Sequence, residues 1–244
     1  MKDIGDSQKR NEEFNKKFNR DQLIIDLVAK EDPIVFDVGA HYGESIDYLK
    51  SHFPKSTIYS FEPDPESYSI LSNKAVPGVK YFNLALSSKE GVSTFFRNKI
   101  SHTNSLTKVN LESKDSIGVT TAKSKGDEEY FQNFNTEIEV QTTTLDSFFE
   151  DHPLDNIDLI KIDVQGAECE VLKGARKFLK NTKIIIVEIS FFDYYENQTS
   201  FLDVESLIAP LNFKLFSISE ISNNPMNGRT DWVEAIYVNR NLMS

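Results

Sequence analysis

The stretch Ile34-Val35-Phe36-Asp37-Val38-Gly39-Ala40-His41-Tyr42-Gly43 constrains this chain more than any other. An apolar run breaks into two glycines, and Glu44 to His52 can then continue as a helix. The spacing predicts strand, tight turn, helix. The pattern recurs. Thr57 to Phe61 ends in Glu62-Pro63 before a helix near residues 66–74, and Val79 to Phe82 follows as a third strand. Ile157 to Ile162 ends in Asp163 before the Gly166 turn, and Ile184 to Ile189 is almost wholly apolar. Such runs suit strands covered on both faces. Strands alternating with helices predict a doubly wound α/β fold with a mostly parallel sheet. Ligands of such folds bind beyond the carboxyl ends of the strands, so the residues just after each strand are the candidates.

The rest of the chain is arranged around that core. Residues 1–20 are polar apart from Phe14 and Phe18, and Gln22 to Lys30 carries Leu23, Ile24, Leu27 and Val28 on one helical face. Residues 1–30 thus read as a leader and helix, and 31–244 as one domain. Val92 to Arg97 and Glu137 to Thr143 are strand candidates. The polar segment 98–135 between them reads as a lid-like insertion, with some helix near Glu128 to Phe134. Thr144 to Phe149 opens a helix, Ala167 to Leu179 reads as one amphipathic helix, and another spans about 201–209. Lys214 to Ile218 and Val233 to Val238 close as a hairpin over a long 219–232 connection.

Composition narrows the function. A formal net charge of -11 argues against general attraction to phosphate backbones, so no nucleic-acid partner is expected. The single cysteine, Cys169, excludes an internal disulfide framework and a zinc site built on several thiolates. No apolar signal-peptide core and no run of about 18 apolar residues is present, so a cytoplasmic protein without a membrane span is expected.

Each strand end carries a candidate. Gly39 and Gly43 allow close backbone approach to a ligand. The turn is one glycine short of a dinucleotide fingerprint and lacks a Walker lysine, which favours a ligand without phosphates. Glu62 lies 23 residues beyond Gly39, where a carboxylate can accept hydrogen bonds from ribose hydroxyls. Lys161 interrupts an apolar strand that Asp163 closes. It either snorkels or pairs with a carboxylate near the site. Glu168, in the first turn of the next helix, suits a purely structural role as well. Glu188 stands inside an apolar run and must be paired or near the cleft. His41 sits in the glycine turn and His102 in the insertion. The four histidines show no metal-like spacing, so no metal is assigned, although Asp163 and Glu188 leave a divalent cation as an alternative.

Asp37-Val38-Gly39-Ala40-His41-Tyr42-Gly43, Phe61-Glu62-Pro63-Asp64-Pro65, Asn83-Leu84-Ala85-Leu86, Thr144-Leu145-Asp146 and Ile160-Lys161-Ile162-Asp163-Val164-Gln165-Gly166-Ala167-Glu168 together resemble the FkbM family of methyltransferases. The likeness continues through Val171 to Ala175 and Val187-Glu188-Ile189, and covers roughly residues 33–240. It implies a Rossmann-like class I methyltransferase fold with seven core strands, the last antiparallel. It also implies S-adenosylmethionine as cofactor and a hydroxyl on a sugar, glycan or small metabolite as acceptor. On that resemblance Asp37, Gly39, Ala40, His41 and Gly43 form the methionine end of the pocket. Glu62 and Pro63 take the ribose, Asn83 to Ala85 flank the adenine, and Asp163 and Glu188 line the acceptor side, with Asp163 also a candidate to hold the amino end of the cofactor's methionine part. Two positions depart from the family: asparagine is usual in place of His41, and glutamate is frequent in place of Gln165.

A sugar hydroxyl is a poor nucleophile, so a base should take its proton as the new bond forms. Asp163 is the first choice and Glu188 the second, with Lys161 and His102 as further catalytic candidates. A methyltransferase acting on nitrogen or carboxylate needs the same pocket. A nicotinamide dehydrogenase is disfavoured by the missing middle glycine and the lack of a Tyr-x-x-x-Lys pair. A non-catalytic nucleoside-binding domain is the remaining alternative.

Overall fold

The computed structural model describes residues 7–113 and 134–243. Its strands are β1 (Ile34–Val38), β2 (Thr57–Phe61), β3 (Val79–Phe82), β4 (Ala85–Leu86), β5 (Gly91–Asn98), β6 (Asn135–Thr143), β7 (Ile157–Ile162), β8 (Thr182–Ser190), β9 (Phe213–Asn223) and β10 (Thr230–Asn239). The main sheet has seven of them, in the order β3-β2-β1-β7-β8-β10-β9. β10 runs antiparallel to both neighbours, while β3, β2, β1, β7 and β8 are mutually parallel. This is the mostly parallel sheet that the alternating runs imply, in the Rossmann-like, seven-stranded form with an antiparallel strand that the family resemblance implies. The chain reverses direction across the sheet between β1 and β7, so the ends of these two strands form the crevice.

Both faces of the sheet are covered. Phe36, Tyr59, Phe61, Ile160, Ile162 and Val187 pack on one side with Phe148, Phe178 and Ile208. Val35, Ile58, Leu159, Ile184 and Ile236 pack on the other with Ile24, Ile46 and Leu49. Double coverage is why these strands read as unbroken apolar runs rather than as an alternation. The helices that supply this cover are short. After the largely exposed α1 (Ser7–Lys17), the helical part of the leader, come α2 (Arg20–Val28), α3 (Glu44–His52) and α4 (Pro65–Asn73). The second half of the chain adds α5 (Leu145–Asp151), α6 (Glu168–Lys173) and α7 (Phe201–Ile208). Side-chain caps start several of them: Asn19, Asp64 and Ser200 each accept a backbone N–H at the start of α2, α4 and α7.

Three expectations change. α2 ends at Val28 with Ala29 in the left-handed region, five residues before Pro33. The stretch 167–179 is not one helix: α6 stops at Lys173, and a 3-10 turn (Phe178–Asn181) follows. A Cβ on Gly174 would lie 2.1 Å from the Ser87 carbonyl oxygen, and the Asp146 carboxylate accepts the N–H groups of Lys177 and Phe178 at 2.8 Å. The helix is peeled open there to dock on α5. The last two strands are longer than their apolar runs and are joined by a short turn at residues 224–229. The strand candidates flanking the insertion are found as β5 and β6, which pair with β4 in a sheet of their own. The helix expected near Glu128 falls mostly outside the described residues. Among the described residues no helix is long and apolar enough to cross a membrane.

Candidate active site

Between β1 and α3 the backbone is pinned to its neighbours. The N–H groups of Gly39 and Ala40 both donate to the Phe61 carbonyl, at 3.1 and 3.0 Å. Gly39 has φ +89, and a Cβ there would sit 1.9 Å from the Asp163 carbonyl oxygen. Glycine is therefore required by conformation and by space, and the turn seats directly on the end of β7. Beneath it, Asp37 is fully buried. Its Oδ2 accepts from Ser45 Oγ at 2.7 Å, while Oδ1 is buried without a partner. Burial raises the Asp37 pKa, with Lys161 and Ser45 pulling the other way.

Glu62, 5% exposed, closes β2. Its two carboxylate oxygens accept the backbone N–H groups of His41 and Asp64, both at 2.8 Å. Each oxygen keeps capacity for one more donor. Burial pushes its pKa up to about 7, against the pull of those two N–H groups. The Asn83 amide props the same segment, donating to the carbonyls of Glu62 and Pro63 at 2.8 and 2.9 Å.

The carboxylates of β7 and β8 converge as expected. Lys161 does not snorkel. It donates to Asp163 Oδ2 at 2.9 Å. Gln165 Nε2 donates to Asp163 Oδ1 at 2.7 Å and to Glu188 Oε1 at 3.2 Å, spanning the two acids. Burial alone would raise Asp163, but Lys161 and Gln165 outweigh it and hold the group below its ordinary value. Glu188 is pushed up to about 8, by burial first and by the Asp163 charge second. Lys161 is held above its ordinary value: the carboxylates of Asp163, Asp37 and Glu188 overcome its desolvation. Glu234 stands opposite Glu188 in the β8–β10 register and is clamped by Arg20 of α2 through both oxygens, at 2.6 and 2.7 Å.

The described start of the insertion lies over these groups. A 3-10 turn (Ser101–Thr103) places Ser101 Oγ 3.1 Å from His41 Nε2. Ser105 Oγ donates to the Val164 carbonyl at 2.9 Å. Arg97 binds Asp64 and Glu66, and Asn104 donates to Asp64 at 3.2 Å. Residues 97–105 therefore touch the glycine turn, the Glu62 segment and the segment after β7.

These elements enclose a cleft of about 1570 Å³, more than the roughly 300–1,000 Å³ that a single small ligand needs. Gly39, Ala40, His41, Glu62, Pro63 and Ala85 line it, together with His102, Lys161, Asp163 and Glu188. Asp37, Gly43 and Asn83 act from behind the wall. Asp37 holds the cleft residue Ser45, Gly43 caps α3 at φ +87, and Asn83 fixes the Glu62–Pro63 backbone. Glu168 is buried in its turn, accepting the Gly166 N–H at 2.9 Å. Sequence reasoning missed Arg20, Tyr48, Tyr195 and Glu234, which also line the cleft. Glu234 carried the signal that exposed Glu188, an acid inside the apolar run from Val233 to Val238.

A family model described as the methyltransferase FkbM domain matches residues 37–215. The chain belongs to the FkbM methyltransferase family. It is an S-adenosylmethionine-dependent methyltransferase. The 2-O-methyltransferase NoeI of Sinorhizobium fredii is 30% identical over 177 residues, 72% of this chain and 70% of that protein. The hexuronic acid methyltransferase AglP of Haloferax volcanii is 27% identical over 164 residues, 66% of this chain and 57% of that protein. Among solved structures, a 1,6-didemethyltoxoflavin-N1-methyltransferase from Burkholderia thailandensis aligns with 90% of this chain and 76% of its own, at TM-score 0.47 and 7% identity.

The cleft suits the cofactor of this family. The remaining lone pairs of the desolvated Glu62 carboxylate match a ribose diol, and Gly39, which has no side chain, lines the cleft where a ligand can approach the backbone closely. The His41 departure has a conformational reason. Its φ is 47, a region that histidine, asparagine and aspartate enter more readily than other non-glycine residues. The backbone N–H that reaches Glu62 is kept whichever of these side chains is present.

Proposed function

We propose that this FkbM-family enzyme methylates a hydroxyl group of a sugar or similar polyhydroxylated small molecule, with Glu188 as the general base. The observation that carries the reading is the unequal treatment of the two acids. Asp163 has both oxygens occupied by donors, Lys161 and Gln165, and stays ionised. Glu188 receives one donor at 3.2 Å and has a pKa near 8. A base works best when its pKa is near the working pH, and it needs an oxygen available to the acceptor. This reverses the order suggested by sequence alone, in which Asp163 came first.

S-adenosylmethionine, when bound, supplies a methyl group activated by a positively charged sulfur. The roles of this chain's residues follow from their positions. Glu62 takes the ribose hydroxyls, with Pro63, Asn83 and Ala85 shaping the adjoining adenine end. The backbone of Gly39, Ala40 and His41, backed by Asp37 and Gly43, takes the methionine end. Asp163 contributes negative charge near the amino end, and its ion pair with Lys161 keeps that charge in place. The ionised Asp163, with Glu44 at the cleft wall, favours a cationic cofactor and disfavours a nucleic-acid acceptor. His102, on the insertion, faces the acceptor. Glu188 removes the acceptor's hydroxyl proton through the oxygen that Gln165 leaves open.

The printed names of NoeI and AglP, a 2-O-methyltransferase and a hexuronic acid methyltransferase, support a hydroxylated acceptor. The test is transfer of labelled methyl from S-adenosylmethionine to a panel of neutral and acidic sugars, with Glu188→Gln in parallel. A labelled sugar with the parent, and a loss of about 10²–10⁴-fold in the variant, is the expected outcome. Transfer confined to amines or carboxylates would overturn the acceptor assignment. Full activity in Glu188→Gln would overturn the base.

A further inference from the structure

One amide joins three groups above the acid pair. Gln165 Nε2 faces Asp163 and Glu188, and Gln165 Oε1 accepts from the Tyr195 hydroxyl at 2.8 Å. The chemistry fixes which end of the amide points where. The ionised Asp163 carboxylate only accepts, so the NH₂ must face it, and the amide oxygen then needs an outside donor. Tyr195 is the donor. Its one proton has two acceptors in reach, Gln165 Oε1 at 2.8 Å and the Thr103 carbonyl at 3.2 Å, and the shorter contact goes to Gln165.

Tyr195 is itself held rigidly. It is 3% exposed, and its ring packs so closely on Gly166 that a Cβ there would lie 2.9 Å from Tyr195 Cδ2. Its backbone forms an isolated antiparallel bridge with Val109 of the insertion. Gln165 has φ 58, which fixes the start of its side chain beside the acids.

We propose that Gln165 and Tyr195 are positioning residues of the methyl-transfer site: the Tyr195 hydroxyl locks the Gln165 amide with its NH₂ toward Asp163 and Glu188, and the insertion, through the backbone bridge at Val109, holds Tyr195 in place. The inference deepens the functional reading above and rests on Glu188 as base. It also gives the glutamine at 165 a purpose that a glutamate would not serve. A carboxylate there would offer no hydrogen to either acid and would add a third negative charge.

The groups facing Glu188 are Lys161 and Asp163 from β7, and Gln165 and Glu168 from the turn and helix that follow it. Tyr195 faces it from the segment after β8, and Glu234 from β10, with the Glu234 charge met by Arg20 of α2. Tyr195→Phe changes one of these, the hydroxyl, and keeps the ring on Gly166.

The experiment needs neither cofactor nor acceptor. Protein labelled with ¹³C at the glutamate side-chain carboxyl is titrated by NMR, and the Glu188 signal is assigned by its absence in Glu188→Gln. In Tyr195→Phe the amide loses its lock, and the Glu188 midpoint should rise by about 0.5–1 pH unit, the worth of one neutral hydrogen bond. Gln165→Met, which removes the donor outright, should raise it at least as far. An unchanged or lowered midpoint in Tyr195→Phe overturns the proposal. Should that variant fail to fold, Gln165→Met decides by the same criterion. Full methyl transfer by Glu188→Gln would instead remove the base on which the inference rests, and the titration, being independent of turnover, tells the two failures apart.

Discussion

Replacing Glu62 by glutamine should make the stability of the ligand-free protein less sensitive to pH, in a direction and by an amount set by the site. Glu62 is buried and its pKa is raised from 4.5 to about 7. The folded state therefore binds a proton that the unfolded chain has released between those two values. Stability must fall as pH rises through that window, and the full penalty is present above about pH 7. At roughly 1.4 kcal/mol per pH unit, the move corresponds to about 3 kcal/mol. The substituted amide carries no charge and escapes the penalty. It has one acceptor oxygen for the two N–H groups of His41 and Asp64, so it also loses a hydrogen bond at a cost of about 1–3 kcal/mol. That cost does not vary with pH. The quantity to measure is the stability difference between Glu62→Gln and the parent, by urea denaturation from pH 4.5 to 8. Glu168 and Glu188 titrate in both proteins and cancel. The difference should move in favour of the variant by up to about 3 kcal/mol across the range. A flat difference, or one moving toward the parent, would refute the claim that Glu62 is a desolvated carboxylate held ready for a ligand.

Three further outcomes follow from the same geometry. Gly39→Ala places a Cβ 1.9 Å from the Asp163 carbonyl at a left-handed φ, so it should destabilise the fold by more than about 2 kcal/mol and abolish S-adenosylhomocysteine binding; near-parent values in denaturation and calorimetry would contradict this. Lys161→Met removes the charge that keeps Asp163 ionised. Because Asp163 is held low, its contribution is present at neutral pH and lost on acidification, so the variant should lose stability most at neutral pH and match the parent most closely in acid, as read by urea denaturation at both. Arg20→Ala leaves Glu234 without its bidentate partner, and about 2 kcal/mol should be lost in urea denaturation, while a loss under about 0.5 kcal/mol would show the pair to be screened.

Much of this molecule was legible before its coordinates, for a definite reason. Parallel strands covered on both faces must be apolar throughout, so any acid at or near their ends stands out. Glu62, Asp163 and Glu188 were found this way, Glu62 with help from its spacing to Gly39, whereas Asp37 came only with the family resemblance; the strand order places Asp163 and Glu188 side by side. Where features depended on tertiary packing, sequence had less to offer. The 167–179 stretch has a helix's apolar spacing, yet Gly174 abuts Ser87 and Asp146 captures the next N–H groups, so the helix ends early. Tyr195 lies in an aromatic-rich loop with no periodicity, and the Gly166 contact and the Val109 bridge, both tertiary, bring it to Gln165. Arg20 precedes the family match entirely and reaches the cleft because α2 packs beside β8 and β10. Which of the two acids Lys161 pairs with, Asp163, is a matter of side-chain geometry that no sequence pattern carries.

The simplest decisive measurement is calorimetric titration of the folded parent and of Glu62→Ala with S-adenosylhomocysteine. Micromolar binding by the parent and a loss of about tenfold or more in the variant is the expected result if, as proposed, the one desolvated Glu62 carboxylate takes both ribose hydroxyls. A folded parent that does not bind, or a variant that binds equally well, would contradict the placement of the cofactor in this cleft.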